Sequence, residues 1–301
     1  MSSVPGQMHR AHRPGGMSTP TGWHVVARLL PMVILALFAA LALGAWVGLW
    51  ATGWREISGP AWAGPSLDHW FGTNQIGQDV LARSLQSIAA AFEVGLIVGL
   101  GAAVLGLLVG ALAGYFQGRW VDELLLWLTG CFESIPYYLL MGAVLFALDG
   151  ISGALQLAMI LSFWPAVARV VRIRVVVLRS EGYITAARVS GSHPLRIVRR
   201  HVIPHLYDIT LVQVTLLFVA AIKTEVVLSF IGLTGSDSIS FGRMLAEAAQ
   251  DLLAGQYQNF AAASVLLFLL VWSLNRFGDE LQVALDPRRP GPPLRRRLDL
   301  I

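Results

Sequence analysis

Six long stretches of this chain are apolar and almost free of charge, and they restrict its fold more than any other feature. They cover residues 29–52, 94–118, 124–148, 150–168, 209–232 and 252–275. Glu133 interrupts the third, and Lys223 and Glu225 interrupt the fifth. A helix of about 20 apolar residues crosses the ~30 Å hydrocarbon layer of a bilayer. Glycine and proline inside such helices are tolerated, because neighbouring helices re-satisfy the freed backbone groups. The chain is 55% hydrophobic and only 13% charged, against about 25% charged residues in soluble proteins. The expectation is an all-α integral membrane protein with six transmembrane helices.

The arginines set the orientation. Arg10, Arg13 and Arg28 precede the first stretch, and Arg276, Arg288, Arg289 and Arg295 to Arg297 follow the last. Between the fourth and fifth lie Arg169, Arg172, Arg174, Arg179, Arg188, Arg196, Arg199 and Arg200, and Arg119 marks the turn after the second. The alternate connections carry only Arg55, Arg83 and Arg243. By the positive-inside rule both termini and the arginine-rich loop face the cytoplasm. The net charge of +4 then reflects topology rather than a nucleic-acid partner. The first stretch is longer than the 7–15 residues of a signal-peptide core, so it reads as an uncleaved span. Residues 1–22 read as a disordered cytoplasmic tail, and residues 286–301 as a basic tether at the membrane surface.

Residues 181–206, EGYITAARVSGSHPLRIVRRHVIPHL, form a polar interruption with an order of their own. Helix formers run to Gly191, and Ser192-His193-Pro194 restarts a second helix. Gly just past one helix and Pro at the first position of the next are stop and start signals. In the second helix Leu195, Val198 and Val202 fall on one face, with Arg196, Arg199 and Arg200 on the other. A bent, amphipathic helix pair of this kind suits docking to a partner better than spanning a bilayer. Anchoring to lipid headgroups is the other use for a basic loop.

The same loop resembles the EAA loop of ABC-importer permeases. That family reads Glu-Ala-Ala, three residues, Gly, nine residues, Ile-x-Leu-Pro. Here Thr185, Ala186, Ala187, Gly191, His201, Ile203 and Pro204 hold those places, with Thr185 for Glu and His201 for Ile. Further segments are similar to the dipeptide, oligopeptide and nickel permeases. They are His69-Trp70-Phe71-Gly72-Thr73-Asn74 through Gly77-Gln78-Asp79-Val80, Ala113-Gly114-Tyr115-Phe116 with Trp120-Val121-Asp122, Glu225 with Leu228-Ser229-Phe230-Ile231-Gly232-Leu233, and Ala284-Leu285-Asp286-Pro287-Arg288. Asn74 and Gln78 depart from the family pattern.

The resemblance implies a type I ABC-importer-like permease fold with cytoplasmic coupling helices, in a bacterial inner membrane. It implies four parts: residues 1–22; a first helix and external loop over 23–90; a permease core over 91–285 holding the EAA-like loop at 181–204; and residues 286–301. It implies that Glu181, Thr185, Ala186, Ala187, Gly191, Pro194, Ile203 and Pro204 dock onto a cytoplasmic ATPase. The implied partners are a sister permease, one or two ABC ATPases and an external substrate-binding protein. ATP and Mg would belong to the ATPases, and peptides or a related small solute would be the cargo.

This chain shows no means of binding ATP itself. Its only lysine, Lys223, is not preceded by a phosphate-binding glycine loop. Cys131 is alone, Pro204 separates His201 from His205, and His9, His12 and His24 lie near no acidic ligand. No nucleophile elbow or catalytic carboxylate pair is apparent. The chain therefore reads as non-catalytic, with neither metal nor cofactor of its own. The rival class is an ATP-independent secondary transporter or channel, which predicts paired midplane charges and inverted repeats. A membrane-bound enzyme is a third class, and it lacks a site.

Charges inside the spans cost ~2.5–3.5 kcal/mol each at mid-bilayer. Lys223 and Glu225 lie two apart, about 200° around a helix, so they cannot face one neighbour. Glu225 stands where the resembled family has a Glu, which makes it a candidate for the pathway or gate between two permease chains; a structural contact is the alternative. Glu133, close before Pro136, reads as structural. Gly106, Gly110 and Gly114 form a smooth ridge for close helix packing. Trp54, Trp62 and Trp70 suggest interfacial anchoring of the external loop. Residues 69–80 are placed to shape the outer entrance.

Overall fold

The computed structural model describes residues 22–234 and 238–285, with side chains of the first helix from residue 29 onward. Expectations for the two tails fall outside those residues. The chain runs α1 Gly22–Trp46, α2 Val80–Tyr115, α3 Trp120–Ser134, α4 Tyr137–Ala147, α5 Ala154–Leu178, α6 Gly182–Val189 and α7 Pro194–Ile197. A π-helical turn at Val198–Val202 and a 3-10 turn at Ile203–Leu206 lead into α8 Tyr207–Phe230, followed by α9 Phe241–Leu253 and α10 Gln258–Leu285. Extended pairing among the described residues is confined to two isolated bridges, Ile57 with Gln78 and Thr73 with Asp79.

Five helical stretches are long and apolar enough to cross a membrane, and the pair α3–α4 supplies a sixth span if counted as one. That pair is bent by 89°. The third apolar stretch is thus two helices rather than the single continuous helix its composition suggests. Ile135 is extended before Pro136, which caps α4, as expected where the proline ring excludes helical backbone from the residue before it.

The ends also move. α2 begins at Val80, fourteen residues before the apolar stretch, because Asp79 caps it by accepting from the Ala82 N–H at 2.8 Å. It therefore runs through residue 90, where the sequence suggested a division between parts. Its 36 residues make a rod about 54 Å long. The last apolar stretch divides at Gly255, whose φ of +76° suits glycine, and the amphipathic α9 precedes it.

α2 is the centre of the molecule. Its glycines face α5 and α8, while Leu100, Val104 and Leu108 point away from the bundle. A β-carbon on Gly106 would lie 2.8 Å from the Trp164 carbonyl, one on Gly110 2.4 Å from that of Ala168, and one on Gly114 2.8 Å from that of Arg172. The ridge is a helix-packing seam, as its spacing predicts. Phe92 meets Phe218 of α8 edge-on, with ring centres 5.6 Å apart. Lys223 and Glu225 diverge as predicted: Lys223 is exposed on α8 and Glu225 is buried. Glu133 pairs with Arg169 of α5.

Candidate functional site

The structure brings the residues of the EAA-like loop together at one end of the bundle. Glu181 is extended and opens α6, its carbonyl accepting from the Ile184 and Thr185 N–H groups at 3.1 Å. α6 ends in a paired stop. The Gly191 N–H donates to the Arg188 carbonyl at 3.1 Å and the Ser192 N–H to the Ala187 carbonyl at 3.2 Å, with Gly191 at φ +75°. This Schellman arrangement needs a left-handed residue, which glycine supplies. His193 is then extended and Pro194 takes the first position of α7, where its missing N–H costs nothing.

Pro204 shapes the remainder. It has no N–H to give and its ring crowds the carbonyl four residues back. Around it the helix loosens to a π turn and tightens to a 3-10 turn before α8 resumes. The π turn advances more than 3.6 residues per turn and so rotates the helix face. Ile197, Val198, Val202 and Leu206 are buried together with Ile184. Leu195, predicted to share the buried face, is instead 55% exposed.

The pair is bound to the bundle by contacts that the spacing of the loop does not announce. Ile184 and Ile197 pack with Tyr115 of α2 and with Val171 and Val175 of α5. Arg188 lies over the Tyr115 ring, 5.9 Å from its centre. Tyr183 stacks on His205, ring centres 5.3 Å apart, while His205 Nδ1 lies 2.8 Å from the His201 carbonyl. One layer deeper, Arg172 donates twice to the buried Asp122 at 2.8 and 2.9 Å, and Asp122 also accepts from the Gly118 N–H. Asp122 belongs to a quoted family segment, but nothing in the sequence pairs it with Arg172. Outward, α6 and α7 present Tyr183, Thr185, Ala186, Val189 and Leu195. Val189 is 83% exposed, an apolar side chain with small neighbours and basic residues around it.

Glu225 lies apart from this element. It lines a cavity of about 480 Å³ bounded by α2, the α4–α5 turn, α8 and the start of α9. It accepts a hydrogen bond from Ser229, which also pairs with Thr234 at 2.8 Å, and Ser240 is a further partner. Glu93 and Asp149 line the same cavity. Sequence inspection missed them, since one lies in a connecting turn and the other just outside an apolar stretch.

The loop between α1 and α2 is a closed unit seated on α2. His69 Nδ1 lies 2.8 Å from Asp79 Oδ2, and Asp79 at the same time caps α2. The contact raises the His69 pKa above its ordinary value, chiefly through the hydrogen bond to Asp79. Asn74 accepts from the Gln78 N–H at 2.9 Å, and Gln78 donates to the Arg55 carbonyl at 2.9 Å. Trp62 donates to Asp251 of α9 at 2.9 Å, and the buried Arg83 pairs with Glu247. Trp62 therefore ties the loop to α9. Trp54 packs against the core, and Trp70 stays exposed.

The fold is a multi-span helical bundle with a close-packed α2–α5 seam and a compact, bent helix pair at one end. Residues 106–290 match the family described as binding-protein-dependent transport system inner membrane component. The chain is 31% identical to the dipeptide transport system permease protein DppC of Bacillus subtilis, over 74% of this chain and 70% of that one. It is 32% identical to the oligopeptide transport system permease protein OppC of Mycobacterium tuberculosis, over 74% of this chain and 77% of that one. An inward-facing structure of the MetNI methionine ABC transporter shares the fold, with a TM-score of 0.55 at 21% identity, covering 69% of this chain and 96% of that one. The chain belongs to the binding-protein-dependent inner-membrane permease family, and is a permease subunit of an ABC importer. That membership favours the importer over an ATP-independent transporter.

Proposed function

We propose that this chain forms, with a sister permease, the pathway by which peptides delivered by an external binding protein cross the membrane. Peptides are the cargo named for its relatives. The observation that carries the reading is the α6–α7 element. It is compact, stopped by Gly191, restarted by Pro194, and packed on α2 and α5 while its outer face stays free. In this reading Glu181, Thr185, Ala186, Ala187, Gly191, Pro194, Ile203 and Pro204 form or support the docking surface for a cytoplasmic ABC ATPase, with one or two such subunits per complex. ATP and Mg reside in those partners, and this chain is non-catalytic. The element and both termini face the cytoplasm, consistent with the arginine distribution.

The mechanism follows from the packing. When the ATPases close, their groove displaces α6 and α7 as a unit, because the turn between them is fixed by paired hydrogen bonds. The displacement reaches α5 directly through the chain, α2 through Tyr115, and α3 through the Asp122–Arg172 pair. Glu225 lies in the outer cavity as the pathway or gate residue. Gly191→Pro tests the coupling. Proline cannot adopt φ +75° and removes the N–H that meets Arg188. The expected result is normal membrane insertion with loss of peptide-stimulated ATPase activity in the reconstituted complex. Normal transport by that variant would sink the proposal.

A further inference from the structure

α9 and α10 leave a surface groove outside the coupling element, floored by Leu245, Leu267 and Val271 where they pack on the core. Its volume is about 550 Å³, and Leu245 of α9 closes one side. Leu267, Phe268, Val271 and Trp272 line it, and it ends at Arg276 and Asp279. Phe268 is 65% exposed. Arg276 and Asp279 are also exposed and have no ion pair among the described residues. Gly278 between them turns the other way, toward Thr215 of α8.

The order of these groups along the helix matches the order of chemistry in a lipid leaflet. From Gln258 to Arg276 the helix rises about 27 Å, and Asp279 is one turn further. A span of ~30 Å of hydrocarbon puts Trp272 and Arg276 near the boundary where indole rings and arginines settle. Apolar side chains fill the membrane side, a guanidinium follows at phosphate depth, and a carboxylate lies just beyond. An aminophospholipid has the same sequence: acyl chain, phosphate, then an ammonium on a two-carbon link. We infer that this groove binds phosphatidylethanolamine, with an acyl chain along Phe268 and Val271, the phosphate on Arg276 and the ammonium on Asp279. A glycerol headgroup offers that carboxylate only a neutral hydroxyl, and a trimethylated headgroup has no N–H to donate to it, so neither forms the charge-assisted hydrogen bond. The order holds whichever side of the membrane the end of α10 faces, so the inference does not depend on the proposed orientation.

Native mass spectrometry tests it on the purified chain, in whatever complex it retains, delipidated and titrated with phosphatidylethanolamine, phosphatidylcholine or phosphatidylglycerol. Phosphatidylethanolamine should bind about five-fold more tightly than the other two, the scale of one exposed ion pair. Arg276→Gln should weaken all three lipids, and Arg276→Lys should restore them. Asp279→Asn should remove the preference for phosphatidylethanolamine over the other two lipids while leaving their common binding to Arg276. Equal binding of the three lipids overturns the inference, as does a preference for phosphatidylethanolamine that survives Asp279→Asn. Cross-linking of Phe268→Cys to another protein chain in native membranes also overturns it, because the groove would then be covered by protein.

Discussion

His69 shows how much one proton can hold. Its ring meets Asp79, and Asp79 caps the longest helix of the molecule. The folded pKa is raised above the ordinary value of 6.5. The stabilisation is therefore complete below about pH 6.5 and lost as pH rises through the folded value. Hydrogen exchange at Thr73, Asn74 and Val80, corrected for intrinsic rates, should show protection falling as pH rises above about 6.5. His69→Gln should flatten that profile, and an unchanged profile would remove the latch. Legibility at this scale was uneven. Gly191 and Pro194 can be read from sequence because only glycine and proline meet the backbone demands of a helix stop and start there. Leu195 cannot, since its exposure goes with the π turn beside Pro204, which a uniform 3.6-residue periodicity does not allow for.

At the scale of elements the α2–α5 seam carries the clearest prediction. A β-carbon on Gly110 would lie 2.4 Å from the Ala168 carbonyl and 2.8 Å from the Val171 side chain. Gly110→Val should destabilise the purified protein by ~1–3 kcal/mol, the range for overpacked interiors, and lower its thermal midpoint. Val104→Ala, on the outward face of the same helix, should leave the midpoint nearly unchanged. An equal response from both variants would mean the seam is not close-packed. The glycine spacing announced this seam. The early start of α2 stayed hidden because Arg83 and Glu93 ended the apolar count, although Arg83 is buried against Glu247. α9 stayed hidden for a related reason: its polar face breaks the apolar run, and hydrophobicity alone does not register an amphipathic helix.

At the scale of the whole molecule, the α6–α7 element and the cavity beside Glu225 lie in separate parts of the structure. α8 runs from the element to Glu225 and Ser229 of the cavity, and α2 touches both: Tyr115 packs under α6 and α7, while Ala90, Glu93 and Val94 line the cavity. Glu225→Gln leaves Ser229 a side-chain oxygen to donate to and removes the charge. Peptide uptake in proteoliposomes should fall by about tenfold or more, the scale of one charge-assisted hydrogen bond, with assembly and basal ATPase activity kept. Unchanged uptake would assign Glu225 a packing role instead. The family resemblance carried the class of protein, and the apolar stretches carried the number of crossings. The cavity was not legible, because Asp149, Glu93 and Ser240 meet only through the packing of three helices and a turn.

The glycine seam has a mechanical meaning beyond tight packing. Where Gly106, Gly110 and Gly114 meet α5, backbone rests directly against the carbonyls of Trp164, Ala168 and Arg172. Larger side chains in such a seam would act as cushions, changing rotamer to soak up a small shove. Here only Val167, Val171 and Val175 share the seam, short β-branched side chains with little rotamer freedom to give. A push on the end of α5 is passed to α2 undamped, so the two helices travel as one stiff member.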